Sequence, residues 1–171
     1  MLTAVVILIV VATMLAEARL SRAHERALRA AAAFEPPGDV YGVMQIAYPA
    51  CFLLMAAESL LRGATSPVVV PGIVIFIVAK ALKWWAIASL GTHWSFRVLV
   101  VPGTALIDAG PYRWLRHPNY LAVLGELIGV AMMLGVPWTG TLVCLAFGAL
   151  MRARIRVEER ALGIGGNRRD G

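Results

Sequence analysis

The sequence predicts an all-α polytopic membrane protein with about five transmembrane helices, the last two forming a C-terminal helical hairpin. Hydrophobic residues make up 60% of the 171 residues and charged residues 15%, whereas a soluble domain is about 45–50% apolar and about 25% charged. The apolar residues stand in long runs, and the basic residues cluster between and after them. This composition excludes a water-soluble globular enzyme, a disordered chain and a disulfide-rich secreted module. The length suits one domain over residues 1–171.

The first apolar run covers residues 1–16 and reaches about Ala18 if Glu17 lies at the membrane interface, which is long enough to span a bilayer. Ala16-Glu17-Ala18 resembles a signal-peptide cleavage site, but the run is not preceded by basic residues, so cleavage is not expected. Residues 18–33 favour a second helix with its arginines on one face. This face indicates either a solvated flank or a helix lying on anionic headgroups.

The second and third spans are predicted at about 43–61 and 68–90. Pro49 is expected to kink the second span, and Glu58 is expected to pair with a basic residue one turn later, Arg62.

Two lysines, Lys80 and Lys83, fall in the last third of the third span. We expect their side chains to snorkel toward the interface, which Trp84 and Trp85 mark as an aromatic belt.

Residues 91–119 form the longest stretch without a span, and two apolar segments follow it at about 120–136 and 137–151. Residues 137–140 are predicted as the turn of the hairpin.

Four arginines lie in residues 19–29, three in 91–119 and six in the tail from residue 152. The positive-inside rule therefore places the N-terminus outside and the C-terminus in the cytoplasm. We therefore interpret the net charge of +6 as a consequence of membrane topology and not as a sign of nucleic-acid binding.

The densest group of chemically versatile residues is the string Gly110-Pro-Tyr-Arg-Trp-Leu-Arg-His-Pro-Asn-Tyr120. Pro118 disfavours helical geometry at His117, so the next helix is expected to begin at about Asn119. The free amides of that helix start, beside His117 and two arginines, predict a pocket for a carboxylate or phosphate. A basic and aromatic membrane anchor is the alternative, but an anchor does not need the fixed Gly-Pro and His-Pro pairs.

A second group lies in residues 152–160, where Arg154 and Glu158 are one helical turn apart. Taken alone, it indicates a solvated helix with weak ion pairs. The first string is expected at the same membrane face, and together with that string Arg154 and Glu158 are a candidate Arg/Glu pair over a pocket. Glu126, an acid at membrane depth, either pairs with a lysine or loop arginine or lines the site. His93 is a candidate base but is more typical of an interface residue.

The string Gly110-Pro-Tyr-Arg-x-x-Arg-His-Pro-x-Tyr120, followed by Arg154-x-x-x-Glu158-Glu159, resembles the signature of the isoprenylcysteine carboxyl methyltransferases. It is similar, more widely, to the phospholipid N-methyltransferases and a group of membrane sterol reductases. Residues 22–28 look like the segment that follows the first span in the prokaryotic branch. The resemblance covers about residues 20–162.

The resemblance implies a membrane-embedded enzyme that uses S-adenosylmethionine, releases S-adenosylhomocysteine and needs no metal. The cofactor would lie in a cytosolic-side pocket formed by about residues 91–171, and a lipophilic substrate would arrive from the bilayer. Arg154 and Glu158 match the family's catalytic pair. The cofactor-binding residues implied are His117, Pro118, Leu121, Tyr112, Tyr120, Arg113, Arg116 and Val101. The substrate-binding candidates are Glu126, Trp94 and Glu159.

The chain departs from the eukaryotic members after Glu159, where they carry a longer aromatic segment, so we expect the lid over the cofactor to be either shorter or absent. A compact prokaryotic member of the bacterial inner membrane is expected to methylate a small lipid through a carboxylate, a phenol or a quinone-type hydroxyl. The first alternative is an NAD(P)H-dependent reductase of an isoprenoid or sterol-like lipid. The second is a non-catalytic membrane protein whose basic face recruits a partner or anionic lipid.

Overall fold

The computed structural model describes residues 1–103 and 107–161, and this part of the chain is helical, as predicted. Two 3₁₀ turns, Gly91–His93 and Gly110–Arg113, interrupt the long loop before the fourth helix. Residues 162–171, where a shorter or absent lid was predicted, lie outside the described residues. The five helices found in the described ranges are α1 (Leu2–Ala30), α2 (Tyr41–Arg62), α3 (Val69–Leu90), α4 (Pro118–Leu134) and α5 (Pro137–Ala161).

Helix α1 runs without a break through the point where the sequence predicted the end of a span. No Pro or Gly interrupts residues 2–30, and alanine, leucine and arginine are strong helix formers. Glu17, for which an interfacial position was the condition of a longer first span, is buried inside the bundle, with its side chain 0% exposed. The arginine face of this segment is exposed, as predicted. The side chains of all four of its members are exposed, namely Arg19, Arg22, Arg26 and Arg29.

Helices α2 and α3 begin and end within two residues of the predicted spans. At the end of α2, Glu58 accepts a hydrogen bond of 2.5 Å from Arg62, as the i,i+4 spacing predicted. A second oxygen of Glu58 accepts from the backbone N–H of Thr139 at 2.9 Å. This carboxylate therefore joins the C-terminus of α2 to the N-terminus of α5, where it also offsets the positive end of the helix dipole.

Helices α3 and α4 form the most extensive interface in the described structure, and they approach backbone to backbone. A Cβ atom on Gly72 would lie 2.8 Å from the backbone nitrogen of Met133, and one on Gly129 would lie 2.9 Å from the carbonyl oxygen of Gly72. Small residues allow this close approach, which is the usual way in which membrane helices gain packing energy.

The turn between α4 and α5 lies earlier than predicted. Gly135 ends α4 with a left-handed conformation, φ +65°, and Pro137 is the first residue of α5. The predicted turn at 137–140 was wrong because proline favours the first position of a helix, where its missing N–H has no intrahelical partner. Helix α5 then continues into the basic segment, so the fifth apolar stretch and residues 152–161 are one helix.

Three helices in the described ranges are long and apolar enough to cross a membrane, namely α1, α2 and α3 with its following turn. Helix α4 is apolar but shorter, and α5 changes from apolar to basic along its length. The number of five spans stays a prediction. Large apolar side chains remain exposed along α1, α2 and α3, and Trp84 and Trp85 are exposed beside them. In a bilayer these surfaces contact lipid.

Candidate active site

A cavity of about 650 Å³ lies at the end of the bundle where the loop of residues 91–117 meets the polar half of α5. All five described helices contribute to its wall. Its volume falls within the range of about 300–1,000 Å³ that is usual for small-molecule sites. Charged and aromatic side chains line the end near the loop, and apolar residues of α1 and α2 line the opposite side.

Arg154 is buried in the cavity wall and is held by three separate elements. Its Nε donates to the hydroxyl of Tyr120 at 2.9 Å, and one of its terminal nitrogens donates to the carbonyl of Phe96. The other terminal nitrogen lies 3.7 Å from Oδ1 of Asp39. The guanidinium is thereby fixed against α4, the 91–117 loop and the segment before α2.

Tyr120 links the two members of the predicted Arg/Glu pair. Its hydroxyl accepts from Arg154 and donates to Oε2 of Glu158 at 2.7 Å. The i,i+4 spacing correctly placed Arg154 and Glu158 on one face of a helix, but the described contact between them runs through this phenol. Arg154, Tyr120, Glu158, Asp39 and the Phe96 carbonyl are called the Arg154 network below.

The Arg-His-Pro segment forms the start of α4 as predicted, with His117 at the N-cap and Pro118 at the first position. Nε2 of His117 lies 3.3 Å from Oε1 of Glu159 on α5, so this acid orients the imidazole. Oδ1 of Asn119, which also lines the cavity, is buried and has no hydrogen-bond partner among the described residues. An orphaned buried oxygen of this kind indicates a missing donor.

Tyr112 contributes a phenol to the same wall. Burial, and secondarily the negative charge of Glu158, raise its pKa well above the usual value of a tyrosine. The phenol therefore stays protonated and offers the cavity an O–H donor.

The polar part of α1 supports the loop that carries Phe96. The hydroxyl of Ser21 accepts from the Phe96 N–H at 2.8 Å and donates to Glu25 at 2.7 Å. One turn along, Nδ1 of His24 donates to the Trp94 carbonyl at 2.8 Å. Sequence reasoning treated this segment as a solvated flank and missed these contacts. The spacing of Ser21, His24, Glu25 and Leu28 opposite the arginine face was the available signal.

Arg97 and Tyr41 are two further residues of the cavity wall that sequence reasoning missed. The Arg97 guanidinium lies 4.7 Å from the centre of the Tyr41 ring and 2.8 Å from an oxygen of Glu35. The hydrogen bond that Arg97 donates to the Glu35 carboxylate raises the pKa of Arg97 above its usual value. Asp39 accepts from the backbone N–H groups of Tyr41 and Val98 at 3.1 and 3.2 Å, which ties the start of α2 to the loop.

The snorkelling predicted for Lys80 and Lys83 was wrong. Nζ of Lys80 lies 2.8 Å from Glu17 and 2.9 Å from Glu126. Nζ of Lys83 lies 2.7 Å from Glu17 and 3.1 Å from Glu126. Two ammonium and two carboxylate groups thus neutralise one another inside the bundle, and paired charges need not reach the interface. These four residues, from α1, α3 and α4, are called the ion cluster below.

The structure brings nine of the predicted site residues to the cavity wall: Val101, Tyr112, Arg116, His117, Pro118, Tyr120, Trp94, Arg154 and Glu158. Four others lie outside it: Arg113, Leu121, Glu126 and Glu159. Leu121 is 50% exposed on the outer side of α4, because the next residue of a helix points about 100° away from Tyr120. Glu126 belongs to the ion cluster, which was one of the two interpretations of this acid. The binding roles themselves stay predictions.

Metal ligands are not grouped in the part of the chain that the structure describes. No three His, Cys, Asp or Glu side chains of residues 1–103 and 107–161 come together as a metal site would require. Cys51 is buried in the apolar core and Cys144 packs against it.

Comparisons with known proteins agree with the two motifs. The model of the isoprenylcysteine carboxyl methyltransferase (ICMT) family matches residues 72–164. The uncharacterized protein YpbQ of Bacillus subtilis (strain 168) is 32% identical over 148 residues, which cover 86% of this chain and 88% of that protein. An uncharacterized protein of Haemophilus influenzae is 26% identical over 148 residues, 84% of each chain. No solved structure matches the chain. The resemblance derived from the motifs is confirmed at the level of the family.

Proposed function

The chain belongs to the isoprenylcysteine carboxyl methyltransferase family of membrane proteins, and we propose that it transfers a methyl group from S-adenosylmethionine to an oxygen of a lipophilic acceptor. One observation carries this proposal. A single cavity joins the His117–Tyr120 segment to the Arg154 network and continues between the membrane helices. A polar cofactor and a lipophilic acceptor can therefore be bound next to each other in this cavity.

The residues present fit the methionine part of S-adenosylmethionine, which carries a carboxylate and an ammonium. The Asn119 N–H at the start of α4 and the His117 imidazole suit the carboxylate, because N–H donors and the positive end of a helix dipole favour an anion. The next two N–H groups, those of Tyr120 and Leu121, donate to the His117 carbonyl. The unpartnered Oδ1 of Asn119 suits the ammonium, which is a donor. We assign cofactor binding to His117, Pro118, Asn119, Tyr120, Tyr112 and Val101.

The cavity has an apolar side suited to an acceptor that arrives from the bilayer. At the N-terminal end of α1 and the C-terminal end of α2, Thr3 and Ser59 are hydrogen bonded at 3.1 Å. Toward the other ends of these helices, the cavity wall includes Leu15 of α1 and Gln45 of α2. Leu15 is 52% exposed. We propose that the lipid enters sideways between α1 and α2 at this level.

Arg154 is suited to orient a substrate carboxylate. A guanidinium has five N–H donors, and its bonds to Tyr120, the Phe96 carbonyl and the Met44 sulfur use three of them. A carboxylate held there needs no general base, because it is already ionised at pH 7. When bound, S-adenosylmethionine supplies a methyl group on a cationic sulfur, from which the acceptor oxygen displaces a neutral thioether. Holding the acceptor in line and apart from water is the contribution of the chain.

We further propose that the catalytic end of the cavity faces the cytoplasm, with the N-terminus of α1 outside. The support is the distribution of arginine, since Arg22, Arg97, Arg116 and Arg154, from three basic segments of the chain, all line the cavity at that end of the bundle. The relatives come from bacteria, and we propose the bacterial inner membrane as the location.

The experiment combines a binding and a transfer measurement on the purified protein in detergent. Calorimetry is expected to detect S-adenosylhomocysteine but not NADPH. Incubation with trideuteromethyl-labelled S-adenosylmethionine and a total lipid extract of the source organism is expected to yield a labelled lipid by mass spectrometry. Binding of NADPH in place of S-adenosylhomocysteine would identify a reductase. Binding of neither, with no labelled lipid, would indicate a non-catalytic membrane protein.

A further inference from the structure

The ion cluster is not explained by the proposed transfer reaction. Its two lysines and two acids are side by side inside the bundle, and Lys83 is 2% exposed while Glu17 is 0% exposed. Ionisable groups at membrane depth are costly and generally mark a functional path or site. The Tyr48 hydroxyl donates to Glu126 at 2.5 Å, so α2 is also joined to the cluster.

The two lysines of the cluster differ in one respect. Both contact Glu17 and Glu126, but Lys83 lines the cavity of the candidate active site and Lys80 does not. Tyr48 lines the cavity too, and its ring centre lies 5.4 Å from the Lys83 ammonium. An ammonium has three N–H donors, whereas the described residues give that of Lys83 two carboxylate partners. One donor of a deeply buried cation therefore remains for a molecule in the cavity.

We propose that Lys83, beside the Tyr48 ring, forms a binding subsite for a second, neutral oxygen of the lipid acceptor, such as a carbonyl, hydroxyl or ether. The inference rests on the proposed function, because the acceptor is what would occupy this part of the cavity. The cluster has two positive and two negative charges, so a second carboxylate would add an uncompensated charge inside the bundle. A neutral oxygen accepts the free N–H at no such cost.

The position of the subsite constrains the acceptor. Glu126, in the ion cluster, is six positions after Tyr120, in the Arg154 network, on α4. At 1.5 Å per residue this is about 9 Å along the helix axis. The acceptor is thus expected to carry its second oxygen about 9 Å from the atom that is methylated, on the part of the molecule that lies deeper in the bilayer.

The test uses two double variants that keep the cluster electroneutral. Lys83→Met with Glu17→Gln removes the donor that faces the cavity, and Lys80→Met with Glu17→Gln removes the one that does not. Each leaves one lysine beside Glu126, so the second is a matched control for charge and packing. Both are assayed with labelled S-adenosylmethionine and the lipid extract, and S-adenosylhomocysteine affinity and the melting temperature in detergent are measured alongside.

In the wild-type protein, the labelled lipid is expected to contain at least one neutral oxygen besides those of the methylated group. The Lys83 double variant is expected to raise the apparent KM for the extract about tenfold or more relative to the Lys80 double variant. Its kcat and S-adenosylhomocysteine affinity should match that control, since the contact is distant from the transferred methyl group.

A labelled lipid without a second oxygen would overturn the proposal without any variant. Equal KM values in the two double variants, or equal losses of melting temperature and activity in both, would assign the cluster a purely structural role. Failure of the proposed function is a separate result, because it appears in the wild-type protein as absent S-adenosylhomocysteine binding or absent label.

Discussion

The hydroxyl of Tyr120 donates a 2.7 Å hydrogen bond to Glu158 while it accepts one from Arg154 at 2.9 Å. A residue at the start of α4 therefore fixes the relative positions of an acid and a base on α5. The motif that contains Tyr120 and the motif that contains Arg154 and Glu158 are far apart in sequence, and this phenol is the point at which they become one site.

Replacing Tyr120 by phenylalanine should separate chemistry from cofactor binding. The ring, to which the cofactor contact of Tyr120 is assigned, is kept, but Arg154 loses one of its hydrogen bonds and Glu158 loses its donor. A misplaced catalytic group can lower the rate by about 100-fold. We expect turnover of labelled S-adenosylmethionine to fall by about this factor in Tyr120→Phe, with S-adenosylhomocysteine affinity changed much less. Wild-type turnover in this variant would show that the hydrogen bonds of Tyr120 in the Arg154 network do not contribute to the reaction.

Variants of Arg154 and Glu158 test the two residues that Tyr120 connects. Glu158→Gln keeps an acceptor for the Tyr120 hydroxyl but removes the charge, and Arg154→Ala removes the guanidinium altogether. We expect both to lower turnover strongly while the melting temperature in detergent changes little for Glu158→Gln. If Glu158→Gln turned over normally, the acid would serve only as a hydrogen-bond acceptor.

We expect His117 to contact the cofactor and Glu159 to affect cofactor binding only by orienting His117. His117→Ala removes a group assigned to the cofactor carboxylate, so calorimetry should show S-adenosylhomocysteine affinity reduced about tenfold or more. Glu159→Gln retains a partner for the imidazole at the 3.3 Å contact and should weaken affinity by a smaller factor. A larger effect of Glu159→Gln than of His117→Ala would reverse the assignment.

Most helices could be predicted from the sequence because they depend on local features, namely apolar runs and Pro118. Pro137 was interpreted as part of a turn, whereas it begins α5. The site could be predicted only in part. The His117 motif and the Arg154 motif carry recognisable residues, but Asp39 acts through its bonds to backbone and Phe96 through a carbonyl that any residue would supply.

The ion cluster shows why other predictions failed. Glu17, Lys80 and Glu126 are distant in sequence, so a single chain gives no spacing that pairs them. Glu17 looked like a boundary residue and Lys80 like a snorkelling residue. For Glu126 a pair with a lysine was one of two interpretations, and tertiary packing decides between them.

The support of the 91–117 loop by α1 can be tested with Ser21→Ala. Ser21 is buried, and its hydroxyl accepts from the Phe96 N–H at 2.8 Å. An unsatisfied buried N–H costs about 1–3 kcal/mol, so we expect a lower melting temperature and, because the Phe96 carbonyl holds Arg154, lower turnover. Thr13→Ala is the control on the same helix, since its hydroxyl donates only to the Val10 carbonyl within α1. Equal turnover in the two variants would contradict a role for α1 in positioning the loop.

The contact between α3 and α4 should tolerate no side chain at Gly129. A Cβ there would lie 2.9 Å from both the Gly72 carbonyl oxygen and the Phe76 nitrogen, which are backbone atoms and cannot rotate away. Overpacking of this kind costs about 1–3 kcal/mol, so Gly129→Ala should lower the melting temperature in detergent. Gly148→Ala is the matched control, because a Cβ at Gly148 meets nothing within 4 Å. That variant should be unchanged or slightly more stable, since alanine is favoured over glycine in a helix by about 0.5–1 kcal/mol. A stable Gly129→Ala protein would mean that the two helices can separate without loss, and that their backbone contact does not hold the Lys80–Glu126 and Lys83–Glu126 pairs in register.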